Sequence, residues 1–358
     1  MNLLLVLWWS SLAMAAAALL WMSALVAARV RRARKDARRA HERRLVQAAC
    51  LEIATGTGDA VASLRPVRGR ARLLAESLIE FLAIVRGAER DRLVSAFQAM
   101  AIDETFRQRL FRGSKAGRLA SAEVLSAFPG AATAAALNRL LQTNQDPEVR
   151  VAAVKALIDL DAPPSILTLL EDMRRRGVSD SLLYLPLVRR LAVHEPGAAL
   201  AALADATLDP SARSLLADAV AAAGDYRAIE PLSLAARDGH HGLRMAAVAG
   251  LGVLAHPAAG DTIIAALDDS DWEVRAAACE AAARMNVRQA IPGLVMRLAD
   301  SVWWVRFQAA EALTRMGPAG IQSLRLAAGA DIDIVRRAAA LALAEKGLTE
   351  TIPAGQPA

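Results

Sequence analysis

From residue 240 to 345, apolar positions recur with a helical period in block after block, and each block opens on the same two residues. Leu243-Arg244, Val274-Arg275, Val305-Arg306 and Val335-Arg336 place their arginines 31, 31 and 30 residues apart. The block at 269–302 is the clearest. Val274, Ala277, Ala278, Ala281 and Ala282 recur at i, i+3, i+4, i+7 and i+8, which is one face of a helix. Asp271 is placed to cap that helix and Asn286 to end it. Pro292 fits the first turn of a second helix, where its missing N–H costs nothing, and Leu294, Val295 and Leu298 give that helix an apolar stripe. The spacing therefore predicts helical hairpins. Each is too small to bury its own apolar face, so neighbours stack and the fold is an all-α solenoid.

Acidic residues stand ahead of three of the arginines, in Asp268-Asp269-Ser270-Asp271, at Asp300, and in Asp331-Ile332-Asp333. Asp300…Val305-Arg306-x-x-Ala309-Ala310-x-x-Leu313 resembles the HEAT repeat of the short bacterial type, also found in phycobilin lyases. Asp331…Val335-Arg336-x-x-Ala339-Ala340 shifts the acidic residue by one, and Asp146-Pro147-Glu148-Val149-Arg150 shifts it again. Arg213 keeps the phase and Arg118 extends it, whereas Leu182 stands where an arginine would fall. The resemblance covers 115–347 and weakens near 180. It implies a right-handed α-solenoid whose Asp and Arg positions form a buried ladder between units. It also implies that the helices opening at Val-Arg line the concave face. Alanine abounds because close stacking leaves little room and because it is the best helix former.

Ahead of the repeats the pattern changes. Residues 3–28 hold no charge, a helix of about 39 Å at 1.5 Å per residue and long enough for a bilayer core. Residues 29–44 then hold nine Arg or Lys against two Asp or Glu. The expectation is an uncleaved, single-pass inner-membrane anchor with its N-terminus outside and the array in the cytoplasm. Arg29, Arg31, Arg32, Arg34, Lys35, Arg38 and Arg39 are the candidate membrane-flanking residues, with anionic lipid headgroups as partners. The expected order is an anchor at 1–28, a basic helix and hinge at 29–58, a helical cap at 59–114, the array at 115–347 and a disordered tail at 348–358. Thr55-Gly56-Thr57-Gly58-Asp59 reads as the hinge, since no Lys-Ser/Thr follows it and no strand precedes it.

The high isoelectric point suggests nucleic acid, but the basic residues cluster before 119 and residues 119–358 carry an acidic excess of five. A phosphate-binding groove along the array is not indicated. Two cysteines, Cys50 and Cys279, offer neither a disulfide framework nor a metal cluster. Deoxyhypusine hydroxylases are helical-repeat enzymes that bind iron through several His-Glu pairs. This chain offers only His41-Glu42 and His194-Glu195, so no cofactor or metal is expected. The remaining signal is aromatic. Trp272 and Trp303 occupy equivalent positions, and Trp304 and Phe307 add bulk where the preceding unit has Glu273 at the Trp304 position. These four are the candidate partner-binding residues. The sequence predicts a non-enzymatic, membrane-anchored scaffold for a protein partner, with no nucleic acid and no small-molecule substrate. The alternative is a HEAT-like lyase, or an accessory subunit of a membrane-bound enzyme such as a glycosyltransferase.

Overall fold

The computed structural model describes residues 2–57, 62 and 71–348, and some side chains of the first helix, those of Lys35 and Arg39 among them, lie outside that description. The regular structure among the described residues is all helical, and the chain divides after Ala162 into two compact units.

The first unit contains α1 (Asn2–Thr55), α2 (Ala71–Ile84), α3 (Gly87–Ala99), α4 (Ile102–Arg112), α5 (Lys115–Leu125), α6 (Ala131–Thr143) and α7 (Pro147–Asp159). Its core gathers Leu74 and Leu78 from α2, Leu93 and Phe97 from α3, and Phe106 and Leu110 from α4. Each pair is four residues apart and so lies on one face of its helix. Capping fixes where the helices start. Asp146 accepts from Glu148 N–H at 3.0 Å, with Pro147 in the first turn of α7. At the other end of α1, Gly56 takes a φ of +74° and Thr57 N–H reaches back to Glu52 C=O at 3.1 Å, which closes the helix with a left-handed turn.

α1 corrects the membrane reading. Among the described residues no helix is long and apolar enough to cross a membrane. The apolar run at 3–28 is part of one 54-residue helix, and many of its side chains lie outside the described residues. The physical reason lies in the rest of that helix. Its middle carries the arginines, and its last turns bury Val46, Ala49, Cys50 and Ile53 in the core with α2 and α3. The expected single-pass placement, with the array assigned to the cytoplasm, is therefore withdrawn. Trp8, Trp9 and Trp21 are exposed along α1. The expected hinge beyond Thr57 and the expected tail from 349 lie outside the described residues.

The second unit holds the strong repeats. It runs through α8 (Ile166–Arg175), α9 (Leu185–His194), α10 (Pro196–Ala204), α11 (Pro210–Ala222), α12 (Ile229–Ala235), α13 (His241–Leu254), α14 (Gly260–Ala266), α15 (Trp272–Met285), α16 (Ile291–Arg297), α17 (Trp303–Arg315), α18 (Gly317–Ala328) and α19 (Asp333–Glu345). The helices that open at the arginine positions pack in sequence, α11 on α13, α13 on α15, α15 on α17 and α17 on α19. Each alternates with a partner helix laid against it. In three units that partner is shorter than the spacing suggests. A 3₁₀ turn at Tyr226–Ala228, Pro257–Ala259 or Arg288–Ala290 precedes a helix of seven residues. Asp271 caps α15 through Glu273 N–H at 2.8 Å, and Asn286 ends it in the left-handed region at φ 51°.

Small residues set the helix spacing. A Cβ added to Gly252 on α13 would stand 2.7 Å from the Cβ of Ala281 on α15. The two backbones touch there, and alanine at 281 is the largest neighbour that fits. Gly252→Leu is expected to force these helices apart and cost about 2–3 kcal/mol. Gly239→Ala, where the added Cβ meets nothing within 4 Å, should stay within about 0.5 kcal/mol. Chemical denaturation of the two variants checks the contrast, and equal losses would show that the helix contact is not close.

Candidate partner-binding site

The residues around the Val-Arg positions do two jobs, and the first is structural. In Arg275 the Nη1 donates to the carbonyls of Asp269 and Ser270 at 2.9 and 3.0 Å, closing the turn before its own helix. The Nε and Nη2 of the same side chain hold both carboxylate oxygens of Asp300, in the next unit, at 2.7 and 2.9 Å. Arg244 repeats this with the carbonyls of Asp238 and Gly239 and the carboxylate of Asp269. Arg213 reaches Asp238 at 2.8 Å. In each case the carboxylate lies 25 residues after the arginine. Only a guanidinium has a planar fork that can bind carbonyls on one corner and a carboxylate along an edge.

The same carboxylates also hold the backbone of their own turns. Asp269 accepts from Asp271 N–H at 2.8 Å, and Asp300 from Val302 N–H at 3.0 Å. The Asp300 side chain is only 4% exposed. Burial pushes its carboxyl upward. The hydrogen bonds from Arg275 and Val302 N–H outweigh that, so the group sits below the usual carboxylate range. Asp269 is shifted the same way by burial opposed by Arg244.

The second job falls to the aromatic residues. Trp303, Trp304 and Phe307 form one cluster on the first turns of α17. Phe307 stacks on Trp303 and on Trp304 with centroids 5.5 and 5.3 Å apart, and the two indoles are 5.7 Å apart. Trp303 is 58% exposed and Trp304 41%. They face solvent because the helix stripe is already filled by Val305, Ala309, Ala310 and Leu313, all buried. Trp272 is exposed in the equivalent position of α15, one unit away from the three-ring cluster. Beside Trp303 and Phe307 a cavity of about 230 Å³ opens between α17 and α19, lined also by Arg306, Ile334, Arg337 and Leu341. The contribution of α19 is not readable from spacing, since it depends on how two helices pack.

The other candidates are not among the residues of this cluster or its cavity. Arg29, Arg31, Arg32, Arg34 and Arg38 are exposed on α1. The side chains of Lys35 and Arg39 lie outside the described residues. Both His-Glu pairs have structural uses. Glu42 pairs with Arg38 at 3.2 Å, and Glu195 accepts from Ile166 N–H at 3.1 Å at the start of α8. Burial pushes the thiols of Cys50 and Cys279 up to about 12, which leaves them unreactive. One cluster escaped sequence reading. His241 Nδ1 lies 3.6 Å from Asp271 and 3.7 Å from Glu273 on the surface. His241 stands at the register of Trp272 one unit earlier, so the repeat phase was the signal that would have found it.

With this geometry in place, comparison with known proteins is informative for one segment. Residues 260–344 match the HEAT-repeat family. No curated protein matches the chain. Among solved structures, Kap95p in a complex with RanGDP is 12% identical, with 88% of this chain and 52% of that one covered at a TM-score of 0.43. Kap121p bound to RanGTP is 15% identical, covering 85% and 45% at 0.35. Human deoxyhypusine hydroxylase is 17% identical, covering 79% and 97% at 0.30. The chain spans about half the length of these karyopherins. All three scores are too low to transfer a function. Neither a phycobilin-lyase relation nor a membrane-bound partner enzyme finds support here.

The ladder has a pH signature. Carboxyls held below their unfolded values stabilise the fold above about pH 4, and that stability is lost as pH falls toward their folded values. Wild-type melting temperature should therefore fall steeply with acid below about pH 4. Asp300→Asn should be less stable at neutral pH by about 3 kcal/mol, because Arg275 loses its partner, and should show a shallower acid slope. Parallel pH profiles in the two proteins would deny the pair its role.

Proposed function

We propose that this protein is a scaffold that binds another protein through the surface of its HEAT-like repeats, without catalysis of its own. The observation that carries this reading is the contiguous Trp303–Trp304–Phe307 cluster, whose two tryptophans are exposed on a half-buried Phe307 although the helix stripe beneath is buried. Adjacent exposed aromatic rings form a patch of the kind soluble proteins seldom leave uncovered. Tryptophan is enriched among residues that dominate binding energy because one side chain removes a large apolar area from water. Trp272 extends the same surface by one unit. An extended stack of hairpins suits a peptide, a helix or a whole domain.

A catalytic reading has weaker support. Of the two His-Glu pairs, Glu42 is in an ion pair and Glu195 accepts from a helix-start N–H, and the cysteines are buried. A nucleic-acid reading conflicts with the acidic balance of residues 119–358.

Trp304→Glu separates binding from packing. With the ring 41% exposed, the melting temperature should stay close to that of the unaltered protein. Affinity for the partner recovered by full-length pulldown should drop by about 2 kcal/mol or more. Full retention of the partner, or a large loss of thermal stability, would reduce Trp304 to a packing residue.

A further inference from the structure

The ladder breaks at one rung, and the break lies in the aromatic site. Asp331 is the residue 25 positions after Arg306, where Asp269 and Asp300 stand relative to Arg244 and Arg275. Arg306 keeps the first half of the arrangement. Its Nη1 donates to the carbonyls of Asp300 and Ser301 at 2.8 and 3.1 Å. The second half is missing. Asp331 is exposed, and among the described residues neither Nε nor Nη2 of Arg306 has a hydrogen-bond partner. The local reason is the different build of this unit. A single 12-residue α18 replaces the 3₁₀ turn and seven-residue helix of earlier units, and Asp331 stands two residues before α19 where Asp300 stands three before α17.

We infer that Arg306 is a receptor for a carboxylate, and that its occupant is an acidic–apolar peptide segment of the partner protein. An Asp or Glu of that segment seats on the Nε–Nη2 edge while a neighbouring apolar side chain enters the cavity beside Trp303 and Phe307. This inference rests on the protein-binding reading above and specifies its chemistry. The guanidinium is already oriented, because the turn carbonyls hold its other corner as they do in Arg244 and Arg275. Little side-chain entropy remains to be lost on binding. In two earlier units the same edge holds a carboxylate through two hydrogen bonds, so the occupant repeats a contact the fold already makes. Two acidic residues line the cavity, Glu311 and Glu345, the latter exposed on the last turn of α19. Glu311 is paired with Lys346 at 3.2 Å, and Arg337 adds a second cation, itself bound to Asp333. Apolar Ile334 and Leu341 also line the cavity, the latter 53% exposed. A purely apolar peptide would leave the Nε–Nη2 edge of Arg306 desolvated and unpaired.

The test uses the full-length chain and a phage-displayed library of random peptides about 12 residues long. Enriched peptides should carry Asp or Glu next to Leu, Phe or Trp. Fluorescein-labelled copies, measured by anisotropy, should lose about tenfold or more in affinity when the acidic residue becomes its amide. Arg306→Gln should cost the same, and the two changes together should cost no more than either alone. The peptide-side change is made on the unaltered protein, so it decides the matter even if Arg306→Gln folds poorly. Trp303→Ser should weaken the same peptides while leaving their preference for a carboxylate. Enriched peptides without a carboxylate, or affinities indifferent to both changes, would overturn the carboxylate receptor and leave the protein-binding reading standing. Failure of any peptide to enrich would also overturn it. Protein binding as a whole falls only if, in addition, Trp304→Glu leaves the pulldown unchanged.

Discussion

The bidentate contact from an arginine of one repeat to an aspartate of the next is the constraint on which the second unit depends. The hairpins are short, rich in alanine, and held close by glycine at 252. Such helices bury little apolar area apiece, and helices this short are marginal alone. Their turns expose carbonyls and N–H groups that must be satisfied wherever the stack excludes water. One guanidinium closes the turn behind it and one carboxylate closes the turn ahead. The bond between them fixes the offset of consecutive units. A buried pair of this kind gains little over a well-packed apolar contact but is costly to break, which makes it a device for register more than for net stability.

That division of labour explains why the interior and the surface of the same turn look so different. The ladder and the Val-Ala stripe use up the inward positions. What remains on the first helical turn is free to vary, and it holds His241 in one unit, Trp272 in the next and Trp303 after that. The fold tolerates a histidine or a tryptophan there because neither carries the stacking. Bulk accumulates on α17, where Phe307 stacks on both tryptophans beside an arginine whose carboxylate is out of reach. The unit that departs from the ladder pattern is the one on which the proposed binding site rests.

The first unit is built differently. Phenylalanine and leucine, more than alanine, fill its core, with Phe97, Phe106 and Phe128 wholly enclosed. The last turns of α1 belong to that core, and Arg92 donates to the carbonyl of Ala54 at 2.9 Å to tie the end of α1 to α3. The apolar N-terminal run and the basic helix expected after it form one continuous helix. Composition alone is blind to this, because hydropathy is local and the packing of residues 46–54 is not.

The sequence by itself determined the helical period, the repeat length and the positions of the ladder arginines, because all three are spacings along a covalent chain. Asp271 as a cap and Asn286 as a helix end were equally legible, since their partners lie within a few residues. It also marked Trp304 and Phe307 as departures from the preceding unit, where Glu273 and Ala276 stand. Only the tertiary structure decided which aspartate each arginine holds, since a partner 25 residues away is a neighbour only after stacking. It alone brought Ile334 and Leu341 of α19 against Trp303 and Phe307, and it alone showed that Arg306 lacks the carboxylate its phase promised. Those facts arise from the relative placement of whole helices, which is set by where small side chains let backbones approach.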